Sequence, residues 1–153
     1  ACIVHVVRLL LWRGWRVRGH PLVSAMHVGY AWLVGAFGLA AYSALTGGTW
    51  PRAWLHAFTV GAVGTMMLAL MPRVALRHTG RAPANAPFVA ASCAAMTLAA
   101  ALRLVFGLPA ASAWYGAVAA ALWAACFVGY AIVYAPMLMQ PSLPRPAAPA
   151  PIA

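Results

Sequence analysis

The sequence predicts an all-α protein: a polytopic transmembrane helical bundle with about four full spans and one more cut short at the N-terminus. Three observations carry that reading. Apolar residue types make up 65% of the 153 residues and charged types only 7%, where a soluble domain carries about 25% charged residues. Mean hydropathy is +0.87. The ten charged residues are all Arg, there is no Asp or Glu, and the Arg fall in short clusters between long apolar runs. A net charge of +10 also fits nucleic-acid binding, but such binders spread Lys and Arg over a polar face. Here the Arg stand where loops leave a membrane.

A bilayer core of about 30 Å takes about 20 apolar residues of helix. Ala1 to Trp12 is too short for that and reads as the tail of a truncated span. The opening Ala1-Cys2-Ile3-Val4-His5 has no initiator Met and no charged stretch ahead of it. It is therefore not a signal peptide, and the chain is expected to be the C-terminal part of something longer. Full spans are expected over Pro21–Thr46, Ala53–Met71, Ala86–Leu108 and Ser112–Met139. Pro21, Pro51, Pro87 and Pro109 fall at or near segment starts, where a missing N–H costs little. Residues 1–139 are the expected transmembrane region. Residues 140–153, with Pro141, Pro144, Pro146, Pro149 and Pro151, have too little apolar bulk to pack and are expected to be a disordered cytoplasmic tail.

The loop charges predict an orientation. Arg13, Arg16, Arg18, Arg73, Arg77, Arg81 and Arg145 belong to one set of alternate loops and ends, Arg52 to the other. Seven against one puts the first loop, the third loop and the C-terminus on the cytoplasmic side. Trp12, Trp15, Tyr130 and Tyr134 then fall near the inner interface, and Trp50, Trp54, Trp114 and Tyr115 near the outer one. Ala53, Ala57, Gly61, Thr65 and Ala69 form a small-residue stripe at four-residue spacing, either a close helix crossing or the chance product of an Ala-rich segment. Cys2, Cys93 and Cys126 lack CxxC spacing and read as small hydrophobes.

The missing carboxylates exclude a good deal of chemistry. The chain can form no carboxylate pair, no Ser-His-Asp triad and no hard-cation cage, and without C-x-x-C-H it has no covalent haem site. Chemistry here runs on His, Arg, Tyr, Cys, Met or backbone groups. Intramembrane ionisable residues are functional candidates. His27 lies six residues after Pro21, roughly 9 Å into its helix, and His5 seven residues before Trp12, roughly 10 Å from the same interface. The two helices run antiparallel through a short loop, so these imidazoles are expected at matched depth, a pair able to ligate haem iron or a soft transition metal. The alternative is two unrelated buried His, each bonded to a carbonyl or hydroxyl. Ser24 or Tyr30 can orient the His27 ring. Arg8 can meet an anionic group such as a haem propionate, or snorkel. His56 is expected near the outer end of its helix, about 15 Å or more in depth from His27; His78 and His20 are expected in loops. Met66, Met67 and Met71 offer thioethers for copper, though Met is also a common filler.

The strings themselves resemble a known family. His56-Ala57-Phe58-Thr59-Val60-Gly61-Ala62-Val63-Gly64-Thr65-Met66, then Arg73 and Leu76-Arg77-His78-Thr79-Gly80-Arg81, are similar to the signature of the NnrS family. His5 with Arg8, Trp12-Arg13-Gly14-Trp15-Arg16, Pro21-Leu22, His27-Val28-Gly29-Tyr30-Ala31-Trp32-Leu33 and Tyr134-Ala135-Pro136 resemble it too. The likeness runs from about His5 to Pro136. It implies a bacterial inner-membrane protein of about twelve spans of ordinary length, of which this is the C-terminal part. It also implies non-covalent haem b, with copper as a second metal, and a link to nitric oxide and denitrification. The family's recurrent His map onto His5, His27, His56 and His78, with Arg8 and Tyr30 as further cofactor contacts and His5, His27 and His56 as metal candidates. His20 stands where such proteins often carry an acid, and the Pro/Ala tail replaces a usual basic end. The competing reading is a transporter or permease-like bundle without a metal cofactor; a third is a helical packing module. Expected partners are the lipid bilayer and the remaining N-terminal helices, with no nucleic acid.

Overall fold

The structure, a computed structural model, describes residues 1–17, 19–47, 50, 52–81, 86–108 and 111–144. Five helices and no strand occur among them. α1 is Cys2–Leu11, followed by a short 3-10 turn, Gly14–Val17. α2 is Pro21–Leu45, α3 Ala53–His78, α4 Ala86–Phe106 and α5 Ala113–Leu138. Four of these are long and apolar enough to cross a membrane.

Local chemistry sets the boundaries. α2 opens on Pro21 at its first turn, after an extended His20, where the ring's fixed φ is already helical. α3 runs seven residues past the expected end at Met71, with Pro72 buried inside it. Arg73 and Arg77 are therefore helical, and His78 is the last helical residue rather than a loop residue. In an apolar medium, breaking the helix would strand more backbone groups than the proline does. What stops α3 is Gly80, at φ +69°. Arg81 N–H donates to Leu76 O (2.9 Å) and Gly80 N–H to Arg77 O (3.4 Å), the paired bonds of a Schellman end.

The centre of α3 is widened. Ala57–Gly64 forms a π-helix between two α-helical stretches, a geometry that recurs at functional sites. The expected small-residue stripe lies wholly inside the protein: Ala53, Ala57, Gly61, Thr65 and Ala69 are all buried. α2 and α4 pack on α3 and on each other, α5 packs along α4 and against the second half of α3, and α1 packs on α2. A Cβ on Gly29 would lie 2.6 Å from Met66 Cγ, and one on Gly61 2.5 Å from a Trp32 ring carbon. These two contacts fix the antiparallel register of α2 against α3.

Tyr134 is fully buried with Ala75 and Leu76 and stacks on Tyr130 at 4.9 Å. It is a core residue rather than a surface one at that end of the bundle. Beyond α5 the chain turns back onto the end of α3. Leu143 N–H donates to Thr79 O (3.0 Å), and an Arg81 guanidinium N–H donates to Gln140 Oε1 (3.0 Å). Of the expected tail, residues 145–153 lie outside the described residues, as do Arg18, Pro51 and Pro109.

Candidate functional site

The α1–α2 hairpin brings four of the expected groups together. His5 Nδ1 lies 2.7 Å from Tyr30 Oη, and the His5 ring stacks on Phe37 with centroids 4.9 Å apart. Trp12 packs against Tyr30 at 4.8 Å and meets His27 edge-on at 6.0 Å. The Arg8 guanidinium lies over the Trp12 ring, 4.8 Å from its centroid. His5 and His27 are thus joined through Tyr30 and Trp12 and not through each other. Both imidazoles are half-buried.

The hydrogen bond of His27 decides its tautomer. Its Nδ1 lies 2.9 Å from the Val23 carbonyl oxygen, which only accepts, so Nδ1 carries the proton. In the neutral ring Nε2 then holds the lone pair, and an Nδ1–H to a backbone carbonyl is the usual support of a metal-bound imidazole. For His5 either group can donate: Tyr30 O–H to Nδ1, or Nδ1–H to Tyr30 Oη. Only the second leaves Nε2 as a ligand.

Access to His27 depends on Gly14. A Cβ there would lie 2.5 Å from His27 Cδ2 and 3.2 Å from Nε2. Arg13 makes this approach possible by adopting a positive φ of 49°, which turns the chain from α1 onto the ring. His27, Gly14, Ser24, Val28, Ala31, Leu9 and Leu10 line a largely apolar cleft of about 410 Å3.

The other candidates stand apart. His56, near the start of α3, shares a cavity with Trp50, Arg52, Arg103 and Phe106 at the opposite end of the bundle. The register set by Gly29 and Met66 puts His27 and His56 about 15 Å or more apart along the helices. His78 ends the same helix as His56, about 30 Å away on that rise, and is exposed beside Ser142, whose hydroxyl donates to His78 O at 3.4 Å. Among the described residues no group of three or more His and Cys comes together. Met66 fills the crossing with Gly29. Cys2, Cys93 and Cys126 are free thiols, with Cys126 Sγ against Ser92 O at 3.7 Å.

Phe37, Trp12 and Gly14 were not singled out by spacing as neighbours of the imidazoles. A glycine between Trp12 and Trp15 in a tight loop is a signal of close approach. Arg103 carries a signal of its own, as the lone Arg in the last turn of an apolar helix.

The family described as NnrS protein matches residues 1–142 of the chain. The chain belongs to the NnrS family. No curated protein and no solved structure matches it. Its match takes in the His27 cleft, the π stretch of α3 and the Schellman end, so this NnrS-family chain carries the motifs on the elements just described. It is a multi-pass membrane protein whose apolar helices contact lipid.

Proposed function

We propose that this NnrS-family chain would hold a haem through His27, with His5 as a second candidate ligand, in the bacterial cytoplasmic membrane. There it acts in nitric oxide response or denitrification-linked nitrogen-oxide metabolism. The observation that carries this is the His27 Nδ1–H bond to Val23 O, which makes Nε2 the ligating atom of the neutral ring, beside an apolar cleft. A single His can hold haem iron, and His27 would supply that donor. Copper, the second candidate metal, commonly takes three protein ligands, so it would draw on helices outside this chain. A bound haem supplies an iron that takes a diatomic gas or passes an electron. Val23 O holds the His27 proton on Nδ1, Tyr30 and Phe37 fix the His5 ring, Gly14 leaves room at Nε2, and Arg8 offers a cation to an acidic substituent. α1 supports the same reading, since Ile3, Val4 and Leu11 are exposed apolar residues suited to further helices of a longer protein.

The test is the absorption spectrum of the purified full-length protein. A Soret band is expected in the wild type, lost or shifted in His27→Ala and in His5→Ala, and kept in His78→Ala. Correctly assembled wild type with no haem band overturns the reading and favours the metal-free transporter. Metal analysis of the same sample tests copper. The Arg clusters at the first-loop end support a cytoplasmic C-terminus. A reporter fused after Ala153 is expected to be active only as a cytoplasmic fusion.

A further inference from the structure

At the end of the bundle away from the first loop, two guanidiniums share a cavity of about 330 Å3. Arg52 precedes α3 and Arg103 lies in the last turn of α4; Trp50, His56 and Phe106 complete the wall. No carboxylate of this chain can balance either charge, since the sequence has no Asp or Glu. Trp50 Nε1–H is buried with no acceptor among the described residues. It sits so close to Gly107 that a Cβ there would be 2.8 Å from it. A buried donor without a partner calls for an acceptor, and two guanidiniums call for a negative one. The same charges make the place unfavourable for a metal cation at His56.

A second observation gives the anion its shape. Arg103 also lines an adjoining cavity of about 310 Å3, whose other walls are Val60, Gly116, Ala119, Ala120 and Trp123. Gly116 to Trp123 extends about 10 Å along α5 towards the middle of the membrane. The two cavities share Arg103: the first adds a second guanidinium, and the second adds only apolar side chains, an arrangement that suits an amphiphile.

We propose that this end of the bundle binds one anionic phospholipid. Its phosphodiester accepts hydrogen bonds from Arg52 and Arg103, beside the Trp50 indole, and one acyl chain lies in the groove between Val60 and Trp123. The guanidinium fork matches a phosphate's oxygens, and the negative headgroup suits the two positive charges. A free oxyanion would use the polar cavity and leave the groove unexplained. This assignment is independent of haem at His27.

Native mass spectrometry of the full-length protein, offered equal amounts of phosphatidylglycerol and phosphatidylcholine, tests it. One phosphatidylglycerol is expected to be retained in preference. Arg52→Gln with Arg103→Gln should lower that retention about tenfold, the effect of losing a charge-assisted contact. Arg52 is exposed, so Arg52→Gln alone gives a variant that leaves helix packing intact and should show a smaller loss in the same direction. Ala120→Leu fills the groove and should also lower retention. Equal retention of both lipids, unchanged in Arg52→Gln, overturns the proposal. So does a melting temperature raised equally by inorganic phosphate in wild type and Ala120→Leu with no lipid retained, which assigns the cavity to a free oxyanion.

Discussion

Single glycines and one hydroxyl hold the His27 and His5 rings in place. Gly14→Ala puts a methyl group 2.5 Å from His27 Cδ2, so the ring or the turn must move. Overpacking of this kind costs about 1–3 kcal/mol, to be read as a lower melting temperature of the purified protein with a shifted Soret band. Tyr30→Phe removes the hydroxyl 2.7 Å from His5 Nδ1 but keeps the ring that packs on Trp12. The expected loss is about 1 kcal/mol, and the spectral change should be smaller than that of His5→Ala. At the far end of α3, Gly80 is constrained twice, by its φ of +69° and by Leu143 O, which a Cβ would meet at 2.8 Å. Gly80→Ala should cost about 1–3 kcal/mol and free residues 140–144, seen as faster proteolysis after α5.

At the scale of helices, the α2–α3 crossing is what the small residues are for. Gly29 faces Met66, a flexible side chain, while Gly61 faces the rigid ring of Trp32. Gly61→Ala should therefore destabilise more than Gly29→Ala, by about 1 kcal/mol or more, because methionine re-packs where an indole cannot. Thermal melts of the two variants in one detergent make the comparison. Equal losses would mean that the Met66 backbone N, 3.2 Å from the same Cβ, limits the site as much as its side chain does. The burial of Ala53, Ala57, Gly61, Thr65 and Ala69 together settles the stripe as a packing surface and not an accident of composition.

For the whole molecule, the spans were legible because a bilayer dictates both the length and the apolarity of whatever crosses it. The end of α3 was not, since Pro72-Arg73 reads as a break in water but is carried through in an apolar medium. The true stop was nonetheless spelled out by Thr79-Gly80-Arg81. That His5 and His27 stand on neighbouring helices followed from counting residues to the loop. Their expected matched depth does not hold, since His5 meets Tyr30 and Phe37 while Trp12 and Gly14, nearer the loop, meet His27. The contacts with Trp12, Phe37 and Gly14 were not legible, because these depend on how each helix is rotated about its axis. Hydropathy says nothing of rotation when a helix is apolar all round. The π stretch of α3 bears on that rotation. In a uniform α-helix every four-residue step overshoots a full turn by about 40°, so the five stripe positions would wander about 160° around the axis. The wider turns of Ala57–Gly64 take back part of that angle, so the stripe keeps one heading from Ala53 to Ala69. Deleting Val63, an exposed residue of the stretch, should therefore act as a twist of the Arg-bearing half of the helix, by less than the roughly 100° of an α-helical residue, and not as a mere shortening. It should carry Ala69 and Ala75 out of the core together.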